Sequence, residues 1–308
     1  MFVTKPRLFF AYALENHFAV PSFNVCNLET ARAVIEAAEA EAAPVMLQTY
    51  FGDLHYGGFD VLPALLRILA EKARVPVLVH QDHPDEDDMI LKSLRQGYYS
   101  VMYDGGHLTL DSNIQGAAHI VKIAHVVGAA VEAELGLFGG EGEGHDVVKK
   151  ATPEESKRLV EESGIDTLAV SVGSVHGQNS RLDLSLLESI ANVTPAPLVI
   201  HGGSGIHPDD VREAVRLNVV KINIGAAVVK AWMEGLQEGA ALETHHQPQH
   251  HVTMRHAGAR VREVAQGRIS LMGGSHHAEA LMRVLNETAK DIPKVVVHPI
   301  QVMASPSR

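Results

Sequence analysis

Short apolar runs rich in β-branched residues recur along the chain at residues 19–24, 44–49, 77–82, 100–104, 129–135, 167–172, 197–201 and 219–224. Between them lie Ala-, Leu- and Glu-rich stretches whose apolar residues repeat at helical spacing, such as 28–41, 61–72 and 85–96. Strands alternating with helices predict βαβ units and a parallel sheet. Eight such runs match the count of an α/β (β/α)8 barrel, the TIM barrel, with a doubly wound open sheet as the rival. An amphipathic helix is expected ahead of the first strand, around residues 8–14.

Most of the runs end in polar residues. They close on Asn24, Gln48-Thr49, His80-Gln81-Asp82-His83, Asp104, Glu132 and Glu134, Ser171, His201 and Asn223. A buried polar group is costly without a partner. One polar strand end is only the start of a loop; repeated from strand to strand, it predicts one shared polar site at the C-terminal mouth of the barrel.

The tail has another character. Residues 243–251 form a polar stretch with four His, read as a solvated loop capable of adventitious metal binding. Helical spacing returns at 253–265 and 275–289, and the last stretch, 295–308, carries Pro299 and Pro306 and is expected to be an extended arm. With no internal repeat or low-complexity linker, the reading is one catalytic barrel over 1–240 with a C-terminal extension over 241–308 packed on it.

Composition narrows the partners. The 308 residues hold 26 Lys and Arg against 37 Asp and Glu, a net charge of −11 with the 19 His neutral. That balance argues against nucleic acid, whose ligands cluster basic residues, but leaves room for a small phosphorylated substrate. Cys26 is the only cysteine, so no intrachain disulfide forms, and it is read as an inert thiol. The apolar stretch near the N-terminus is too short to span a bilayer and has a poor cleavage site after it, so no membrane association is expected and a cytoplasmic location is.

Three histidines stand at strand ends: His83 after the third run, His176 four residues past the sixth, and His201 closing the seventh. In a closed barrel these ends converge. Three neutral imidazoles with an open fourth position are the arrangement of a catalytic zinc. A hydrogen-bonded structural histidine is the ordinary reading of any one of them; three together reverse it. A helix N-cap ahead of Pro84-Asp85-Glu86 is the competing, less favoured reading of Asp82. Glycine-rich turns follow the seventh and eighth runs, His201-Gly202-Gly203-Ser204-Gly205 and Asn223-Ile224-Gly225-Ala226, where barrels often cradle phosphate on backbone N–H groups.

These stretches together resemble the class II, metal-dependent ketose-bisphosphate aldolases, in the fructose- and tagatose-bisphosphate branch. Further matching segments are Val20-Pro21-Ser22-Phe23-Asn24, Asn27-Leu28-Glu29-Thr30, Ser100-Val101-Met102-Tyr103-Asp104-Gly105, Val131-Glu132-Ala133-Glu134-Leu135-Gly136, Gly139-Gly140-Glu141 and Lys221-Ile222-Asn223-Ile224, in family order from about residue 5 to 235. The resemblance implies a zinc-dependent cleavage of a phosphorylated ketose to dihydroxyacetone phosphate and an aldehyde. It implies His83, His176 and His201 as zinc ligands, Glu134 at an alternative or second metal position with Asp104 beside it, and Asp82 as the acid/base at the aldehyde oxygen. It places Asn24, Gly177, Gly202, Gly203, Ser204, Asn223, Gly225 and Ala226 on the substrate and its phosphate. A second divalent ion or a monovalent cation, Na+ or K+, is a further possibility, and relatives assemble as homo-oligomers, dimers or tetramers.

The pattern departs from the family in four places. Gly225-Ala226 lacks the usual phosphate-binding hydroxyl. The loop after the fifth strand reads Gly139-Gly140-Glu141-Gly142-Glu143-Gly144, with glycine where the family has its proton-abstracting Glu, so Glu143 is the expected base and Glu141 its substitute. Gln81 and Pro84 flank the Asp-His pair unusually. Tyr50 and Phe51 put bulky aromatics at the end of the second strand, where the aldehyde half binds. A hydrolase-type zinc barrel and a noncatalytic aldolase relative are the competing functions.

Overall fold

The computed structural model describes residues 1–84, 86–137, 149–175, 177–242 and 250–287. Helix α1 (Pro6–Glu15) precedes strand β1 (Val20–Asn24). Then come α2 (Leu28–Ala40), β2 (Val45–Thr49), α3 (Phe51–Gly57), α4 (Leu62–Lys72), β3 (Val77–Gln81), α5 (Asp87–Arg95), β4 (Ser100–Tyr103), α6 (Leu110–Val126) and β5 (Ala130–Leu135). The second half holds α7 (Pro153–Ser163), β6 (Thr167–Val170), α8 (Leu184–Ala191), β7 (Leu198–Ile200), α9 (Pro208–Arg216), β8 (Val219–Ile224), α10 (Ala226–Leu242), α11 (His250–Leu271) and α12 (Ala278–Glu287). Neighbouring strands pair in parallel and β8 closes on β1, so the barrel is realised and the open sheet is not.

Local chemistry starts and stops the helices. Asn27 caps α2 by accepting from the Thr30 N–H at 2.9 Å, and Thr152 does the same for α7 at 3.2 Å ahead of Pro153. Each satisfies an N–H that the helix leaves unpaired. Gly164 ends α7 in the left-handed conformation, φ +74°.

Alternate residues of a strand share a face, and the inner face of the barrel changes from apolar to polar along the strands. Val20, Met46, Leu78 and Ala130 lie at the lower end, in one cluster with Phe9, Phe10 and Phe18 and with Leu281 and Leu285 of α12. Helix α1 and α12 thus plug that end. A phenylalanine as deeply buried as Phe9 costs about 3–5 kcal/mol to truncate, so this plug contributes stability. Two residues along each strand come Ser22, Gln48, His80 and Glu132, and two further come Asn24, Asp82 and Glu134. The opposite faces, including Phe23, Leu47, Val79 and Val131, pack beneath the outer helices.

The tail helices dock on the barrel. Ala257, Val261, Ala265 and Ile269 form one fully buried stripe of α11, and α11 packs along α10 and α2. A Cβ at Gly235 of α10 would come within 2.5 Å of the Ala257 Cα, so the two backbones meet closely at glycine. Helix α10 runs through residue 240. Helix α11 begins at His250, earlier than the spacing predicts, and continues to Leu271, because the buried stripe runs past Ala265. His250 and His251 therefore belong to a helix, with His251 exposed, while His245, His246 and the 295–308 arm lie outside the described residues. Helix α3 was not legible in the sequence pattern. Among the described residues no helix is long and apolar enough to cross a membrane.

Candidate active site

A cavity of about 950 Å3 opens at the C-terminal ends of the strands. It is lined by Asn24, Asp82, His83, Asp104, Glu134, Gly177, Gly202, Ser204, Asn223, Gly225 and Ala226, so the fold gathers these predicted residues from seven strands and their loops into one place. His201 lies directly beneath and is fully buried. Gly203 packs behind the wall, where a Cβ would meet the Ile222 side chain at 2.3 Å and the Asn223 carbonyl at 2.7 Å. His176, Glu141 and Glu143 lie outside the described residues.

Two imidazoles meet at the centre. His83 Nε2 and His201 Nδ1 are 3.1 Å apart. The outer nitrogen of each is held by a carboxylate: His83 Nδ1 donates to Asp104 Oδ2 at 2.8 Å, and His201 Nε2 donates to Glu132 Oε1 at 2.9 Å. An ionised carboxylate only accepts, so each outer nitrogen carries the hydrogen and each inner nitrogen turns a lone pair inward. Glu134 Oε2 reaches the same point, 3.2 Å from His201 Nδ1. A proton or a cation between the rings relieves that convergence of lone pairs and negative charge.

Burial lowers the His83 pKa, but Asp82, Asp104 and Glu134 outweigh it and hold the imidazole well above its ordinary value. Burial likewise raises Asp104, and the hydrogen bond and charge of His83 bring it below the usual carboxylate range. The His83 backbone sits at φ +35°, uncommon for a non-glycine residue and a frequent mark of a functional position. This donor set fits a divalent cation: two braced imidazoles and a carboxylate on one point is the chemistry of a zinc or similar site. Asp82, His83 and His201 offer ligand atoms within 4.8 Å of one another, as do His83, Asp104 and Glu134.

Asp82 stands beside this centre, one residue past β3. Gln48 Nε2 donates to its Oδ2 at 2.8 Å, Asn223 Nδ2 donates to its Oδ1 at 3.0 Å, and its own N–H donates to the Thr49 carbonyl at 2.8 Å. Gln48 also donates to Asn24 Oδ1 at 2.9 Å and accepts from Ser22. The carboxyl is therefore fixed from β2 and β8 while its residue lines the cavity.

The glycine-rich turns lie on the far side. Gly202 takes φ +69° and turns the chain after His201. Ser204 Oγ accepts from the Ala227 N–H at 3.1 Å, which ties the turn to the start of α10. Arg268 of α11 donates to the Ser204 carbonyl at 2.6 Å and braces the same turn.

His80 and Glu132, grouped with the mouth by the sequence pattern, instead form a separate polar layer below the site with Lys221, which sequence reasoning did not connect to them. Lys221 Nζ donates to Glu132 at 2.9 Å, and both are fully buried. His80 Nδ1 lies 2.8 Å from Ser100 Oγ, and burial, with the Lys221 charge adding to it, keeps His80 well below its ordinary pKa. A lysine locked to a buried carboxylate is a poor Schiff-base nucleophile. The signal for this layer was the two-residue spacing of His80 with Asp82 and of Glu132 with Glu134. Asp53 of α3 was also missed; it lines the cavity, and burial, with Asp82 adding to the rise, pushes its carboxyl up to about 7. Burial raises the Cys26 thiol, consistent with an unreactive cysteine.

A polar barrel mouth with carboxylate-braced imidazoles and a fixed aspartate gives this barrel a candidate metal site with a candidate acid/base group beside it. The profile described as Fructose-bisphosphate aldolase class-II matches residues 5–277. The chain belongs to the class II fructose-bisphosphate aldolase family, a metal-dependent family of lyases acting on phosphorylated sugars. The fructose-bisphosphate aldolase of Streptococcus pyogenes serotype M1 is 40% identical over 248 residues, 78% of this chain and 84% of that protein. That of Streptococcus pneumoniae serotype 4 is 38% identical over 232 residues, 73% of this chain and 79% of that protein. Among solved structures, the YdjI aldolase of Escherichia coli K12 superposes with a TM-score of 0.79 at 30% identity, over 90% of this chain and 100% of that one.

Proposed function

We propose that this aldolase is zinc-dependent and reversibly cleaves a ketose phosphate to dihydroxyacetone phosphate and an aldehyde. The carrying observation is the 3.1 Å approach of His83 Nε2 to His201 Nδ1, each ring braced from behind by a carboxylate, with Asp82 fixed alongside. His83, His201 and His176 would hold the ion, with Glu134 at an alternative or second position, and Asp104 and Glu132 set the ring orientation. A bound divalent ion supplies Lewis-acid polarisation of the ketone.

The protein side chains carry the proton traffic. In cleavage Asp82 takes the proton from the hydroxyl at the future aldehyde carbon, and that oxygen forms the carbonyl as the C–C bond breaks. The electron pair of that bond passes to the dihydroxyacetone phosphate half, which is then protonated at C3 by Glu143, with Glu141 as substitute. In condensation each proton moves the other way. Asn24 and Asn223, which already bond the Asp82 network, orient the substrate hydroxyls. Gly177, Gly202 and Ser204 with Gly225-Ala226 take the phosphate on backbone N–H groups at the start of α10, where the helix dipole favours an anion. That position supports phosphate binding despite the absent hydroxyl at Ala226.

The remaining readings are a catalytic barrel over 1–240 with 241–308 as its extension, a cytoplasmic homo-oligomer, and a Na+ or K+ near the phosphate turn. The test is a screen of aldehydes with dihydroxyacetone phosphate, with and without chelator. Metal-dependent condensation is expected. Tight zinc binding without turnover of any ketose phosphate would favour the hydrolase or noncatalytic reading.

A further inference from the structure

We infer that Tyr50 and Asp53 select an aldehyde without a phosphate group, so that the ketose handled here is a monophosphate. The inference rests on the proposed aldolase reaction and concerns the half of the substrate that the reading above leaves open.

The cavity is electrically polarised. At one end are the turns after β7 and β8, and Lys230 stands one helical turn beyond Ala226 on α10. Lys230 is the one Lys or Arg among the described residues lining the cavity. Asp82 stands between the two sides: Asn223 of β8 donates to its Oδ1 from the side of the turns, while Gln48 donates to its Oδ2 and the Thr49 carbonyl accepts from its N–H on the side of β2. The chain leaving β2 at Thr49 runs straight into Tyr50, Phe51 and Asp53, all lining the same cavity. A sugar with its first phosphate at the β7 and β8 turns and its reacting hydroxyl at Asp82 therefore points its far end at Tyr50 and Asp53.

That end is built against an anion. Asp53 is close enough to Asp82 for the two negative charges to disfavour each other, and it shares a hydrogen bond with Asn24. Its Oδ2 also accepts from the Tyr50 N–H at 3.2 Å. This capping bond holds the Asp53 carboxyl at the cavity wall. The Tyr50 ring folds over Gly52, where a Cβ would meet it at 2.4 Å, and packs edge-on against Phe51 at 5.0 Å. Like charges brought together at a recognition site disfavour the wrong partner. A phenol and a carboxyl, by contrast, exchange hydrogen bonds readily with the hydroxyls of an uncharged polyhydroxy aldehyde.

The experiment compares acceptors in the zinc-loaded full chain at about pH 8.5, above the Asp53 pKa of about 7, so that its carboxyl carries its charge. Condensation of dihydroxyacetone phosphate is measured with glyceraldehyde and with glyceraldehyde 3-phosphate, and exchange of the C3 proton of dihydroxyacetone phosphate is followed without aldehyde. Wild type is expected to favour glyceraldehyde by at least about tenfold in kcat/KM. Asp53→Asn keeps an acceptor for the Tyr50 N–H, and Tyr50→Ser opens the wall; each is expected to shift the ratio of the two kcat/KM values toward the phosphorylated aldehyde by about tenfold. Exchange together with a wild-type preference for glyceraldehyde 3-phosphate, or a ratio unmoved in both variants, would overturn this inference and leave the aldolase reaction standing. Absence of metal-dependent exchange would overturn the aldolase reading and this inference with it.

Discussion

His83 and His201 come from opposite halves of the chain, yet their inner ring nitrogens face each other at 3.1 Å while Asp104 and Glu132 hold the outer ones. Each carboxylate selects the tautomer that leaves the inner nitrogen able to ligate.

Glu132→Gln tests that bracing. An amide can donate as well as accept, so it no longer enforces hydrogen at His201 Nε2, and it removes the charge opposite Lys221. Zinc affinity is expected to fall about 10–100-fold, read by competition with a chromophoric chelator. Unchanged affinity would show that Glu132 serves only the buried ion pair.

Asp82→Asn separates the two proton transfers. It keeps an acceptor for Gln48, a flip of the Asn223 amide presents its Oδ1 to the new NH2 group, and the titrating oxygen is removed. Ketose cleavage is expected to fall by about 10²–10⁴ in kcat/KM. Exchange of the C3 proton of dihydroxyacetone phosphate should persist, because another group performs it. Equal loss of both activities would refute the assignment.

Glu143→Gln should do the reverse. Proton exchange at C3 is expected to collapse while zinc binding stays intact. Full exchange in this variant, with loss in Glu141→Gln, would transfer the role to Glu141.

Asp53 links stability to pH. Its folded-state pKa of about 7 lies above the ordinary 3.8 because burial disfavours the ionised form. Between these values the unfolded chain has released the proton and the folded chain retains it. Its contribution to stability therefore declines as pH rises from about 4 to 7. Melting temperatures at pH 5 and pH 8 should show Asp53→Asn gaining on the wild type at the higher pH. A constant difference would show that the carboxyl ionises normally in the folded state.

Much of this protein was legible in the linear pattern. Runs ending in Asn24, Asp82, Glu134 and His201 predicted both the eight parallel strands and the common face, because a strand's side chains alternate and a barrel closes its strand ends onto one mouth. The start of α11 was not legible, since α11 is set by burial of Ala257 to Ile269 against α10 and α2. Nor was the polar layer of His80, Glu132 and Lys221, whose members are about 50 and 90 residues apart in sequence and acquire meaning only as hydrogen-bond partners. The residue types at the mouth, and hence the class of chemistry, were determined by the sequence itself. Which nitrogen of His201 faces inward, what holds Asp82, and that Asp53 lines the same cavity as Asp82 were decided by the tertiary structure. The physical reason is that tautomer, orientation and local potential depend on distances of a few ångströms between residues the chain keeps far apart.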